Sequence, residues 1–316
     1  MATLRQLEYF ATVVDTGSFT QAAHRLRVTQ PALSHQMRAL EQAVGGPLLE
    51  RLPRTVRLTP MGRAMLPHAR AALADVKRAQ SAARQAGGLE AAELHLATLY
   101  SITLGVLPAV LRIWRQQHPG TQIRLFEHWH TNRLTAAMAA GEADLAVGPP
   151  PSGWDGPIHD IGIDEFVIVV PADDPATSDQ ATHIELTALA DRAWVHFPPG
   201  NGLGDILDQA CAAAGFQPRI AVRTEQTSAA PLLAAVGIGP TLVPAHIIPA
   251  GFDGRLLRPH PPVRRTLTAY TRTSPDPLTT AFIHTLTQHA RLLPPHLQTL
   301  LHTQNSHHPH PTPPTP

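Results

Sequence analysis

The sequence predicts an α/β fold class with a winged helix-turn-helix at the N-terminus, a long linker helix, and a two-lobed α/β body. Three observations carry that prediction. Over the first 45 residues, apolar side chains recur at helical spacing and are interrupted by two sharp turns. From Pro60 a single helical pattern runs to the pair Gly87-Gly88. From Leu94 onward, β-type runs alternate with helical ones, as in strand–helix–strand units with a largely parallel sheet. Charge divides the chain at the same place. Residues 1–88 hold 12 Lys and Arg against 5 Asp and Glu, a net +7, and the remainder nets −6. A basic module on an acidic body fits nucleic-acid binding confined to one end.

Leu4, Leu7, Phe10, Ala11 and Val14 share one helical face, and Gly17 stops that helix. Ser18 is placed to cap a second helix, with Gln21 completing a capping box, and Ala22, Ala23 and Leu26 give it a small apolar face. Arg27-Val28 makes a turn, Thr29 caps the third helix, and Pro31 is tolerated in its first turn. Leu33, Met37, Leu40 and Val44 form its buried stripe, leaving Gln30, Ser34, His35 and Arg38 on the other face. Donors, acceptors and a cation at that end suit base-edge and phosphate contacts, although a solvated helical hairpin would share the pattern. Two short alternating runs around Leu52-Pro53-Arg54 read as a β-hairpin wing, with Arg51 and Arg54 placed for phosphate or the minor groove. Thr59-Pro60 starts the long helix. Its stripe of Leu66, Ala69, Leu73, Val76, Gln80 and Ala83 is a short heptad seam suited to a second copy, or to the chain's own wing domain.

In the body, strands are expected at 94–98, 121–127, 143–148, 165–170, 193–197, 220–223, 241–244 and 266–270. Helices are expected at 104–117, 132–140, 205–214, 229–236 and 278–292. The tail from 301 to 316, rich in His, Pro and Thr, is expected to be disordered. Its His307, His308 and His310 have no ordered carboxylate or cysteine partner nearby in sequence, so no functional metal site is expected.

At 316 residues the chain has room for two or three domains. No run approaches the roughly eighteen apolar residues of a membrane span, and Arg5 and Glu8 interrupt any signal-peptide core, so a cytoplasmic setting is expected. The single cysteine, Cys211, excludes an internal disulfide framework and reads as a packed residue. Gly200, Gly202 and Gly204 do not make the dinucleotide fingerprint, and the sequence has no nucleophile elbow, His-Glu-x-x-His or P-loop. No catalytic residues, cofactor or enzymatic activity are expected.

The runs LRQLEYFATVVDTGSFTQAAHRLRVTQPALS and LEQAVGGPLLERLPRTVRLTPMGRAMLPHA resemble the LysR-type transcriptional regulators over some seventy residues. The segments GEADLAV and VGIGPTLVP resemble the effector half of the same family. The resemblance implies a winged helix-turn-helix DNA-binding domain at 1–58 and a linker and dimerisation helix at 59–88. It implies a periplasmic-binding-protein-like effector domain at 89–300, with lobe I at 89–160 and 264–300 and lobe II at 161–263. It implies double-stranded operator DNA, a small-molecule effector between the lobes, and assembly with itself as a dimer or tetramer, and it leaves RNA polymerase as a further partner. Two recognition helices about one helical turn apart would read a dyad-symmetric operator. The sequence departs from the family at His35, often Arg there, and at Leu52-Pro53, where small or polar residues are more usual.

For the effector, two loops qualify on chemistry, since strand-to-helix loops present free N–H groups. One is Thr98 to Thr103, containing Ser101, which falls where the family has a ligand-binding Ser or Thr; the other is Pro199 to Gly204, containing Gly200, Asn201 and Gly202. His128, Thr131 and Thr227 complete the expected wall. The loops hold no Lys or Arg, which favours a neutral or singly charged organic molecule over a polyanion. Ser and Thr there would also serve as plain helix caps. A different class of reading is a solute-binding or enzymatic α/β domain whose N-terminal helices only dimerise.

Overall fold

The computed structural model describes residues 1–51, 55–86, 92–175 and 181–302. Helix α1 (Leu4–Thr16) opens with a reciprocal capping box between Thr3 and Gln6 and closes at Gly17, whose φ is 64°. Helix α2 (Phe19–Leu26) starts at Ser18, which makes the capping half of the expected box by accepting from the Gln21 N–H at 3.4 Å. Arg27 takes a left-handed φ of 55° to turn the chain into α3 (Gln30–Val44). There Thr29 Oγ1 accepts from the Ala32 N–H. Leu33, Met37 and Leu40 close a core with Phe10, Val13, Ala22 and Ala23.

Strands β1 (Leu49–Arg51) and β2 (Val56–Leu58) pair antiparallel as the wing. Its tip, Leu52-Pro53 with Arg54, lies outside the described residues, as do the Arg51 side chain, the Gly87-Gly88 helix stop and the tail histidines. Helix α4 (Pro60–Ala86) begins where the Thr59 hydroxyl accepts from the Gly62 N–H and donates to the Pro47 carbonyl. The heptad seam is partly consumed within the chain, because Leu66 and Ala69 pack into the head core. Leu73 and Val76 stay half-buried, and Gln80 and Ala83 are exposed.

The body runs β3 (Glu93–Leu99), α5 (Tyr100–Gly105), α6 (Leu107–Gln117), β4 (Gln122–His128), α7 (Thr131–Ala139) and β5 (Leu145–Gly148). It continues through β6 (Ile158–Val170), β7 (His183–Glu185), β8 (Ala193–His196), α8 (Gly202–Ala213), β9 (Arg219–Arg223) and α9 (Ala229–Ala235). The last elements are β10 (Thr241–Pro244), β11 (Arg255–His260), β12 (Arg264–Tyr270), α10 (Pro277–His289) and α11 (Pro295–His302). The expected helix at 104–117 is two helices, parted at Val106, with Pro108 in the first turn of α6. The segment 98–103 is consequently not a loop: β3 runs directly into α5. Strands β7 and β11 and helix α11 were not foreseen.

The expected largely parallel sheet is mixed. Its order is β4-β3-β5-β12-β6-β11-β7, with β10 also paired to β6. Strand β3 lies parallel to β4 and β5, but β12 is antiparallel to both β5 and β6. The reason is connectivity, since the 13-residue β6 carries the chain out of the first α/β unit and β12 brings it back. Two cores flank this crossover. One gathers Leu96, Val110, Trp114, Leu134, Val147 and Phe282, and the other Phe166, Val169, Trp194, Leu207, Leu242 and Leu257. Cys211 is packed in the second, and burial pushes its thiol up to about 12. Among the described residues, no helix is long and apolar enough to cross a membrane.

Candidate functional site

Two surfaces carry the residues singled out by sequence, and the first is the outer face of α3. Thr29, Gln30, Pro31, His35 and Arg38 are exposed along it. Ser34 departs from the expectation of an open hydroxyl: it is 5% exposed. It sits beside the inward-facing Leu33, and its Oγ accepts from Gln30 Nε2 at 2.9 Å, so it steadies Gln30. Arg38 Nε leans back on the Ser34 carbonyl at 3.4 Å, at the long edge of hydrogen-bond distance, and the residue stays exposed. A residue that sequence reasoning passed over ties the wing to this helix. Glu41 Oε1 accepts from the N–H groups of Leu48 and Leu49 at 2.9 and 3.3 Å, fixing β1 against α3.

The second surface is a cavity of about 270 Å³ between the two body cores. Ser101, His128, Thr131, Asn201, Gly202 and Thr227 all line it. Thr98 does not, because its hydroxyl is fully buried and donates to the Val147 carbonyl at 3.1 Å, bracing β3 against β5. Gly200 also stays outside; its φ of 81° serves the turn into α8. Asn201 is the N-cap of α8 and accepts from the Leu203 N–H at 2.9 Å, so that side chain does the plain capping task. His128 is different. Burial pushes its imidazole pKa down, favouring the neutral ring, and its Nε2 is buried with no partner among the described residues.

The sequence reading missed Tyr100, Trp129, His130, Asp205 and Arg265, which also line the cavity. Tyr100 and Trp129 stack at a centroid distance of 6.1 Å. Arg265, on β12, brings to this space a cation that the two loops do not hold. Its Nη2 donates to Ser101 Oγ at 3.1 Å and its Nε to Asp164 Oδ2 at 2.8 Å. Asp164 is fully buried, and His246 Nε2 lies 3.3 Å from the same oxygen. Burial alone would raise the Asp164 carboxyl pKa, but the adjoining His246 and Arg265 outweigh it and hold it below the ordinary carboxylate value. The guanidinium charge is therefore met within the wall.

The walls also meet each other directly. His130 Nδ1 accepts from the Asn132 N–H at 2.9 Å, which leaves the ring proton on Nε2, 3.0 Å from Asp205 Oδ2 on α8. The Gly202 N–H donates to the Trp129 carbonyl at 2.8 Å. The cavity is bridged from one unit to the other by a side-chain bond and a backbone bond.

Residues 4–63 match the bacterial regulatory helix-turn-helix family of lysR type, and residues 87–291 match the LysR substrate binding domain. The chain is 32% identical to the HTH-type transcriptional regulator IlvR of Caulobacter vibrioides over 77% of its length and 83% of the relative's. It is 32% identical to AlsR of Bacillus subtilis, covering 77% of this chain and 80% of that one. The structure resembles full-length CbnR, a LysR family regulator, with a TM-score of 0.64 at 25% identity, covering 92% of this chain and all of that one. It also resembles full-length CbnR complexed with its target DNA, with a TM-score of 0.62 at 26% identity over 91% and 99% of the two chains. The chain belongs to the LysR family of ligand-responsive, DNA-binding transcriptional regulators.

Proposed function

We propose that the protein binds a dyad-symmetric operator as a homo-oligomer and senses a small organic effector in the cavity between the body cores. The observation that carries the reading is convergence: six residues from separate parts of the sequence line one cavity, and one of them, His128, has a buried ring nitrogen with no partner among the described residues. In this reading residues 1–58 are the DNA-binding head and 59–88 the linker helix. Residues 89–300 are the effector domain, with lobe I at 89–160 and 264–300 and lobe II at 161–263. Thr29, Gln30, Pro31, His35 and Arg38 meet the duplex, Ser34 orients Gln30, and Arg51 and Arg54 on the wing reach phosphate or the minor groove. The half-buried Leu73 and Val76 and the exposed Gln80 and Ala83 pair two copies. The protein acts in the cytoplasm as a regulator and not as an enzyme, with RNA polymerase as a further partner.

The effector is neutral or singly charged, because Arg265 is already paired with Asp164 and the Asp205 carboxylate is hydrogen-bonded by the His130 N–H. Titrating singly charged organic acids into the full-length protein should quench Trp129, which is 57% exposed at the cavity, and Trp129→Phe should lose the response. A response that survives Trp129→Phe places the ligand elsewhere.

The DNA reading is tested by gel shift on genomic fragments that co-purify with the protein. Arg38→Ala is expected to weaken binding about tenfold and lower the salt slope by about one. An unchanged affinity and slope would contradict the assigned face.

A further inference from the structure

Helix α7 is held at both ends by elements that belong to different functions. Its N-cap, His130, lines the cavity and is bonded to Asp205 on α8. Its C-terminal end meets the linker helix. Arg78 Nη1 on α4 donates to the Gly141 carbonyl at 3.0 Å. A Cβ on Gly141 would stand 3.0 Å from Ala74 Cβ and 3.4 Å from Ala71 Cα, so the Gly141 backbone packs closely on the alanine-lined turn of α4. Asp75, one turn before Arg78, bonds both Arg78 and Arg272 of the body, and Asp144 lies 4.0 Å from Arg78.

We propose that α7 relays the state of the cavity to the linker helix, with His130–Asp205 as the latch at one end and Arg78–Gly141 as the coupling at the other. The proposal rests on the cavity being the effector site. A nine-residue helix is about 13 Å long and stiff along its axis, since its backbone hydrogen bonds run that way. Its buried face, Leu134, Ala137 and Met138, meets the body through apolar contacts, which resist separation more than small sliding. A molecule seated among His128, Trp129 and Thr131 bears on the latch, and an axial shift of α7 arrives at Arg78 undamped. The sequence separation of Arg78 from Asp205 hides the connection, because neither residue touches the other's partners.

Hydrogen exchange on the full-length protein, read by mass spectrometry, tests the relay without an effector. His130→Asn keeps a good N-cap but is too short to reach Asp205, and Asp205→Ala removes the other partner. Either change is expected to speed exchange in the α4 segment around 70–80 by about threefold or more, together with the segments around 128–134 and 200–206. With Arg78→Ala in the background, the cavity segments still respond and α4 no longer does. Faster exchange at the cavity with α4 unchanged overturns the relay, and so does an equal α4 response with and without Arg78. No response even at the cavity overturns it as well, since the latch then holds nothing. The effector reading fails on a separate readout, the Trp129 titration.

Discussion

Asp164→Asn is expected to destabilise the body by about 3–5 kcal/mol and to lower its melting temperature by about 10 °C. The carboxylate is fully buried and its Oδ2 accepts from Arg265 at 2.8 Å with His246 at 3.3 Å. Asparagine keeps the shape and one acceptor but leaves the guanidinium, itself only 10% exposed, without a counter-charge. Removing one member of a buried pair costs far more than the pair contributes, because the survivor's lost hydration is no longer offset. Differential scanning calorimetry measures the effect, and Asp164→Leu combined with Arg265→Met should recover part of the loss. The pH dependence follows from the sign of the shift. The folded-state pKa is depressed, so the carboxylate's contribution is fully present above about pH 4 and disappears as pH falls through the folded value. The acid limb of the stability profile should therefore be shallower in Asp164→Asn than in the parent. Equal melting temperatures at pH 7 would show that Arg265 is solvated and the wall is wet.

Most of the head was legible because its signals are local. Ser18 and Thr29 cap helices a few residues ahead, Gly17 stops one, and Leu33, Met37 and Leu40 share a stripe that needs no distant partner to be seen, although the Thr3–Gln6 capping box went unread. The same local logic failed at Ser34, where helical phase put a hydroxyl on the polar face but its neighbour Gln30 folds over it. In the body, the residues expected at the cavity came from loop chemistry, and six of the eight do line it. Thr98 failed because it lies inside β3 rather than in a loop, with its hydroxyl donating to the Val147 carbonyl of β5. Arg265, Asp164 and His246 were invisible for a different reason. They lie on β12, on β6 and in the 3-10 turn after β10, and only the pairing of two antiparallel crossover strands brings them together. A mostly parallel sheet, which the alternation of strands and helices implied, would have kept them apart.

The same neighbourhood makes Gly105, on the helix that carries Ser101, hard to replace. A Cβ there would stand 2.2 Å from the His246 carbonyl oxygen and 2.4 Å from its Nδ1. The closer obstacle is backbone, so a rotamer change cannot relieve it, and either α5 or the turn at Ala245–Ile247 must move. Each choice is costly. Helix α5 carries Ser101, bonded to Arg265, while the turn carries His246, bonded to Asp164, so the contacts close a circuit from α5 back to α5. Gly105→Ala is expected to destabilise by about 3 kcal/mol, the upper range for overpacking a tight contact. The displacement should also disturb the Tyr100–Trp129 stack, since Tyr100 begins the same short helix. Near-ultraviolet circular dichroism reports on that pair, and thermal melting reports on the stability. Gly120→Ala is the control, because a Cβ there meets nothing within 4 Å. If Gly105→Ala melts with the control and keeps its aromatic signal, the close contact between α5 and His246 is not held in solution.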